Sequence, residues 1–238
     1  PDAYLVGEIW DGDPRWVGNT HFDGLMNYPV REGIIDLLMG SMSSGDFSKR
    51  INKQLTQYKQ ENVYAMYNPL GSHDTVRIKT ELKGDIKKQK LAYLFLMAFP
   101  GAPAIYYGDE IGLEGGKDPA CRKAFPWDEK KWDDDLRRFI RQLITIRKNH
   151  QELRRGSYQE VLVDSKRNGY CFARNLGNKV FLMVMNTSDA KRKYRVPVAD
   201  LGWKDGRILH DLLSERETIV SGTELNISVD PWQGMWLV

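Results

Sequence analysis

The sequence predicts two kinds of structure in succession: an α/β segment with parallel strands over residues 1–153, then an all-β antiparallel sandwich over residues 154–238. Three observations predict it. Apolar runs of strand length alternate with helix-like segments through the first part of the chain, the pattern that builds a parallel sheet. After about residue 153 the pattern becomes short runs separated by Gly, Asn, Asp or Ser, as in a sandwich. Two early runs also end in acids. Leu5 and Val6 lead to Glu8, and Val63, Ala65 and Met66 lead to Asp74. The carboxyl ends of successive strands are where a (β/α) barrel keeps its chemistry.

Taken in order, Tyr4 to Glu8 reads as a buried strand and Phe22 to Tyr28 as a second, short one. Pro29 opens a helix with an apolar face of Ile34, Ile35, Leu37 and Leu38, and Gly40 ends it. Asp46 is expected to cap a helix over Phe47 to Gln60, where Ile51, Leu55 and Tyr58 recur at helical spacing. Val63 to Asn68 reads as a third strand. Asp85 caps a long apolar helix, Lys88 to Phe99, stopped by Pro100-Gly101, and Ala104 to Tyr107 is the fourth strand. Asp133 starts an amphipathic helix to Lys148, with Leu136, Phe139, Ile140, Leu143, Ile144 and Ile146 on its buried side. Seven short strands follow: Tyr158 to Val163, Gly169 to Arg174, Lys179 to Asn186, Lys193 to Val198, Arg207 to Asp211, Glu224 to Val229 and Gly234 to Leu237. A closed barrel needs eight strands in its α/β part and only four are found, while the loops after them are long enough to carry function. The sandwich carries no catalytic constellation and is expected to be structural, packed on the first part.

Composition narrows the function. With 238 residues, 41% of them hydrophobic, the chain can build one large core or two smaller ones. Seven Trp and eleven Tyr could line a sugar site, but core packing accounts for most of them. The net charge of +3 is small, and Lys and Arg are interspersed with Asp and Glu. Clusters such as Lys87-Lys88 and Lys191-Arg192-Lys193 are solvated surface, so no nucleic-acid partner is expected. Cys121 and Cys171 have neither zinc nor C-x-x-C spacing; free thiols in a reducing compartment are favoured over a disulfide. No run approaches the ~18 apolar residues of a membrane span. The chain opens on Pro1, directly into a strand, and is read as part of something longer.

The chemistry-bearing stretches are Gly7-Glu8-Ile9-Trp10 and Gly71-Ser72-His73-Asp74-Thr75. Paired carboxylates at strand ends are the basic apparatus of glycoside hydrolysis. Glu8 follows an apolar strand beside Trp10, where partial burial would raise a carboxyl pKa and keep a proton available for a leaving oxygen. His73 and Asp74 can converge on one sugar from the same loop; a turn cap is the plainer alternative. Arg122 beside Asp118 can grip paired hydroxyls, or form only a loop salt bridge. Arg77 is expected to orient Asp74, and Tyr106 and Tyr107 to pack the interior.

Together with Asn68-Pro69-Leu70 before Gly71, and with Pro103-Ala104-Ile105-Tyr106-Tyr107-Gly108-Asp109-Glu110, these stretches resemble ordered signature regions of the α-amylase superfamily of glycoside hydrolases. Gly115-Gly116-Lys117-Asp118-Pro119-Ala120-Cys121-Arg122-Lys123, Trp127-Asp128, and Phe22-Asp23-Gly24-Leu25-Met26-Asn27-Tyr28 are similar to the neopullulanase, cyclomaltodextrinase and maltogenic amylase branch. Pro69 departs from that branch, which has a larger apolar residue there. The resemblance implies strands five to eight of a (β/α)8 TIM barrel followed by a C-terminal β-sandwich. It implies Glu8 as general acid/base and Asp74 as the acid that steadies the transition state. His73, Asp118, Arg122 and Trp10 would bind substrate. The family's nucleophile, an Asp in a Gly-x-Arg-x-Asp motif, and its Asn-His pair do not occur in this sequence, and Asp23 and Asp109 are poor substitutes.

The expected parent is therefore a retaining hydrolase of α-1,4, and in some substrates α-1,6, bonds in cyclodextrins, pullulan or maltooligosaccharides, with this piece inactive alone. A non-catalytic carbohydrate-binding or assembly module derived from the same fold is the alternative. No cofactor or metal is required by the residues present, and calcium is left open for the intact enzyme. The cut barrel edge suggests a homodimer. A cytoplasmic location is expected.

Overall fold

A computed structural model describes residues 3–238; Pro1 and Asp2, with which the predicted α/β segment begins, lie outside the described residues. Strand β1 (Val6–Gly7) pairs parallel with β2 (Gly24–Leu25). A parallel bridge from Met26 to Tyr67 carries the wall on to β3 (Tyr67–Pro69), which pairs parallel with β4 (Ala102–Ala104). Helices α1 (Tyr28–Met39), α2 (Ser44–Thr56) and α3 (Gln60–Ala65) lie between β2 and β3; α4 (Ile78–Glu81) and α5 (Ile86–Ala98) lie between β3 and β4. After β4 come three one-turn 3-10 helices, then α6 (Asp134–Asn149) and α7 (Gln151–Arg155).

Local chemistry sets most of these boundaries. Asp85 and Asp133 cap α5 and α6 as expected, their carboxylates accepting from backbone N–H groups of the first turn. Asn27 caps α1, and Gly40 closes it at φ 79, a conformation that costs glycine little. The cap of α2 is Ser43, not Asp46. Ser43 Oγ accepts from the Asp46 backbone N–H while donating to the Asp46 carboxylate at 2.8 Å.

Two strands sit elsewhere than the sequence suggested. Val63 belongs to α3, so β3 begins at Tyr67; three apolar residues within four positions fit a helix turn as well as a strand. β4 occupies Ala102–Ala104, and the chain leaves the sheet before Tyr106 and Tyr107, whose adjacent rings lie against Arg77 instead. The expectation that Tyr4 to Glu8 would be buried also fails. Tyr4, Leu5 and Val6 are 51%, 52% and 39% exposed. β1 is an edge strand whose only sheet partner among the described residues is β2.

The rest of the chain forms two four-stranded antiparallel sheets. One runs β12 (Gln233–Leu237), β7 (Lys179–Asn186), β6 (Gly169–Leu176), β5 (Ser157–Asp164); the other runs β8 (Arg192–Pro197), β11 (Glu224–Val229), β10 (Glu217–Ser221), β9 (Ile208–His210). Strand β10 was not foreseen. Strands β6 and β7 of the first sheet are buried on both faces, and the period of two along them assigns each side chain. Cys171, Ala173, Leu182 and Val184 meet Tyr194, Val196, Leu225 and Ile227 of the second sheet. Tyr170, Phe172, Phe181 and Met183 point the other way, into one continuous core with α5.

Helix α5 is the centre of that core. Leu91 through Ala98 are all buried, as expected for a helix apolar on every side. Phe95 meets Phe47 of α2 edge-on at 5.3 Å and Phe172 of β6 at 5.9 Å. Two buried arginines satisfy the carbonyls where α5 ends. Arg147 donates to Met97 O at 2.7 Å and Gly101 O at 2.6 Å, and Arg174 donates to Ala98 O at 2.7 Å. Without them these carbonyls would be buried and unpaired, at ~1–3 kcal/mol each. Cys121 and Cys171 are buried and unbridged, and no described helix is long and apolar enough to cross a membrane.

Candidate active site

Glu8 stands one residue past β1, and the loop 70–75 follows β3, so both leave the same ends of parallel strands. Each approach is fixed by its surroundings. At Gly7 any Cβ would collide with the Phe22 ring. Buried Asn68 donates to Pro100 O at 2.7 Å and accepts from Asn27 Nδ2 at 2.9 Å, pinning the end of β3 to its neighbours. The loop then folds on itself: Ser72 N donates to Thr75 Oγ1 at 2.8 Å and Asp74 N donates to Ser72 Oγ at 3.2 Å.

These constraints bring Glu8, His73 and Asp74 together. One polar side-chain atom from each lies within 4.8 Å of the other two, and all three residues are exposed. His73 Nε2 is 3.1 Å from Asp74 Oδ2. Tyr28, at the start of α1, joins the two strand ends: its hydroxyl donates to Glu8 Oε1 at 2.9 Å and lies 3.1 Å from Ser72 Oγ. Burial, and then the Glu8 charge, raise that phenol to about 12, so it remains a donor at neutral pH. Trp10 stacks on the Tyr28 ring with centroids 3.9 Å apart and planes 8° from parallel, its indole still 49% exposed.

A second arm reaches in from the loop 115–122. Arg122 Nη2 donates to Asp74 Oδ1 at 2.8 Å, and its Nε lies 2.6 Å from Asp118 Oδ1. Arg122 Nε and Cys121 Sγ both donate to the His73 carbonyl at 3.0 Å. All six residues singled out in the sequence, Glu8, Trp10, His73, Asp74, Asp118 and Arg122, thus belong to one connected surface.

Several expectations need correction. Glu8 is exposed, not partly buried, because Trp10 lies on Tyr28 and does not cover the carboxylate. Arg77 does not touch Asp74: it is fully buried and paired with Asp109 at 2.9 Å. Tyr106 is partly buried, but Tyr107 is 40% exposed, so its expected role in packing the interior is only half met. Asp109 is consumed by Arg77, and Asp23 accepts from the Leu5 backbone N–H at 2.8 Å, so neither faces the cluster as a free acid. Tyr28 and Ser72 were given no role, although both lie in stretches marked in the sequence, Phe22–Tyr28 and Gly71–Thr75.

The trio Glu8, His73 and Asp74 is the one group of metal-capable side chains among the described residues. It does not suit calcium, which takes six to eight oxygen ligands. Arg122 already holds one Asp74 oxygen.

Strand-end carboxylates with a histidine and a flat aromatic are side chains of the types that hold sugar hydroxyls and ring faces. The sequence profile described as "Alpha amylase, catalytic domain" matches residues 1–156, and the chain belongs to that family. It is 36% identical over 233 residues to a cyclomaltodextrinase of Geobacillus thermopakistaniensis, covering 98% of this chain and 39% of that one. It is 34% identical over 238 residues to neopullulanase 2 of Thermoactinomyces vulgaris, covering all of this chain and 40% of that protein. Among solved structures, the debranching enzyme of Nostoc punctiforme superposes with a TM-score of 0.88 at 33% identity, over 100% of this chain and 52% of that one. The chain therefore spans about two fifths of the length of these curated relatives and about half of that structure.

Proposed function

We propose that these residues form part of the active site of a retaining α-glucan hydrolase that cleaves α-1,4, and in some substrates α-1,6, glucosidic bonds. The observation that carries the reading is the convergence of Glu8 and Asp74, from two different strand ends, to within 4.8 Å, with His73 in the same cluster. In this reading Glu8 is the general acid/base, with Tyr28 holding its carboxylate in place. Asp74 and His73 hold sugar hydroxyls, and Asp74 steadies the oxocarbenium-like transition state. Trp10 offers an exposed flat face to a pyranose ring. Asp118 and Arg122 grip the adjacent sugar.

The substrate class follows from the relatives, whose names point to cyclomaltodextrins and pullulan. In architectural terms, β1 to β4 are read as strands five to eight of a (β/α)8 barrel. Residues 1–153 would be its C-terminal half, and 154–238 a C-terminal β-sandwich domain. A cytoplasmic location fits the name of one relative, the intracellular maltogenic amylase of Bacillus subtilis. The exposed Tyr4, Leu5 and Val6, on a strand with one sheet partner among the described residues, support self-association of the 238-residue chain as a homodimer.

Retaining hydrolysis needs a nucleophile ~5–5.5 Å from the acid. Asp74 is the carboxylate grouped with Glu8, and it is bound to Arg122 and His73. The 238-residue chain is therefore expected to bind maltotriose or β-cyclodextrin without hydrolysing it, with binding weakened in His73→Ala. Absence of binding to both sugars overturns the glucan site. Turnover that survives purification and vanishes in Glu8→Gln overturns the inactivity of the piece.

A further inference from the structure

Behind the site lies a buried ion pair that no step above uses. Arg77 and Asp109 are each fully buried, with Arg77 Nη1 2.9 Å from Asp109 Oδ1. The guanidinium lies against two adjacent tyrosine rings, 4.6 Å from the centre of Tyr106 and 4.7 Å from that of Tyr107, the two ring centres being 4.6 Å from each other. Its remaining bonds go to backbone. Nε donates to Cys121 O at 2.8 Å and Nη1 donates to Tyr107 O at 2.6 Å, while the Arg77 backbone N–H donates to Gly115 O at 3.0 Å. One side chain therefore ties the segment after β4 to the loop 115–122. The other Asp109 oxygen, Oδ2, is buried without a protein partner among the described residues and is aimed at Gly71, where any Cβ would collide with it.

This arrangement connects to the site through named contacts. Cys121, held by Arg77, gives its thiol to the His73 carbonyl, and its neighbour Arg122 binds that same carbonyl and the Asp74 carboxylate. Gly71, against Asp109, begins the loop that presents His73 and Asp74. We propose that Arg77 and Asp109 are positioning residues for the Glu8–His73–Asp74 site: Arg77 sets Asp74 through Cys121 and Arg122, and Asp109 fixes both Arg77 and the floor of the 71–74 loop. The role of the pair rests on the glucan-site reading, but its geometry does not, and the test separates the two.

Burial, only partly offset by Arg77, pushes the Asp109 carboxyl up to about 7. The groups facing it are Arg77, Glu110, Arg31 and Tyr93. Protonation near neutral pH removes the charge that Arg77 pairs with and is expected to loosen that tie, and Asp109→Asn imitates the protonated form.

The experiment uses the 238-residue chain and follows the Arg122 Nε–H signal by NMR, with circular dichroism as the check on folding. In the wild type the signal is expected to shift as pH crosses the range around 7, and this component is expected to vanish in Asp109→Asn. Arg77→Lys keeps the charge but loses the fork, and is expected to move the same signal at unchanged helix content. An Arg122 signal that ignores pH, or that titrates identically in Asp109→Asn, overturns the proposal even if Arg77→Lys fails to fold. A maltotriose titration supplies the functional arm. Arg77→Lys is expected to weaken binding roughly threefold to tenfold, with no further loss when added to Arg122→Ala. Additive losses mean Arg77 does not act through Arg122. If the wild type binds no maltotriose, the glucan reading fails while the Arg122 signal still decides the positioning claim.

Discussion

Replacing Tyr28 with Phe removes one oxygen and leaves the ring. That oxygen donates to Glu8 Oε1 at 2.9 Å and lies 3.1 Å from Ser72 Oγ, so it couples the two strand ends that carry the site. A hydrogen bond to a charged acceptor contributes ~1.5–3 kcal/mol when buried, but Glu8 is exposed and water replaces part of the loss, leaving about 1 kcal/mol. Ser72 Oγ keeps the Asp74 backbone N–H, so no buried polar atom is stranded there. The Trp10 stack at 3.9 Å is retained because it needs only the ring. Tyr28→Phe is therefore expected to weaken maltotriose binding about fivefold, the equivalent of 1 kcal/mol, and to lower Tm by no more than about 4 °C. Tyr28→Ala, which also removes a fully packed ring, is expected to cost ~3–5 kcal/mol of stability. The assays are thermal unfolding and an NMR titration with maltotriose. Undiminished affinity in Tyr28→Phe would refute the idea that this hydroxyl organises the site.

Three further outcomes are expected. Gly71→Ala places a methyl group against the buried, immobile Asp109 carboxylate, and should cost ~1–3 kcal/mol by overpacking, read by thermal unfolding; a neutral result would mean the 71–74 loop is not seated on Asp109. The Asp109 carboxyl sits at about 7 in the folded chain against 3.8 for a free one, so between these values the folded state holds a proton that the unfolded state has lost. Stability from this group is therefore full below pH ~4 and falls as pH rises towards 7, by at most a few kcal/mol. Tm at pH 5 should exceed Tm at pH 8, and Asp109→Asn should flatten the difference; an unaltered slope in the variant sinks the assignment. Finally, sedimentation at micromolar concentration is expected to show self-association through the β1 edge, weakened by Leu5→Lys. A monodisperse monomer contradicts it.

What could be read from the sequence was what is encoded locally. Asp85 and Asp133 announce helix starts because a cap bonds only to the next two or three residues. The Glu224 to Val229 alternation fixes its strand because one face of that strand is buried. Where two local solutions compete, the sequence is silent: Ser43 and Asp46 both can cap, and Ser43 takes the position while its hydroxyl donates to the Asp46 carboxylate. Strand β10 escaped because exposed Ile219 stands beside buried Val220, so its residue types do not alternate although its burial does. The burial of β1 depends on what stands beside it, which a run of apolar residues does not state. At the candidate site, Glu8, His73 and Asp74 were singled out from their place after strands, and the structure brings the three side chains together. Tyr28 was not singled out, since its partners lie 20 and 44 residues away. Arg77 was noticed for its nearness in sequence to Asp74, yet its side chain turns inward to Asp109, 32 residues on.

The claim that Glu8, His73, Asp74 and their neighbours form a single pyranose-binding surface meets its most direct test in one titration. Maltotriose is added to the 238-residue chain while the Trp10 indole N–H, the His73 ring and the Arg122 Nε–H are followed together by NMR. The expected result is that all three move along one saturation curve, and that Glu8→Gln or Asp74→Asn shifts that curve for all of them. Signals that stay still up to about 10 mM sugar, or that saturate at separate concentrations, would contradict it.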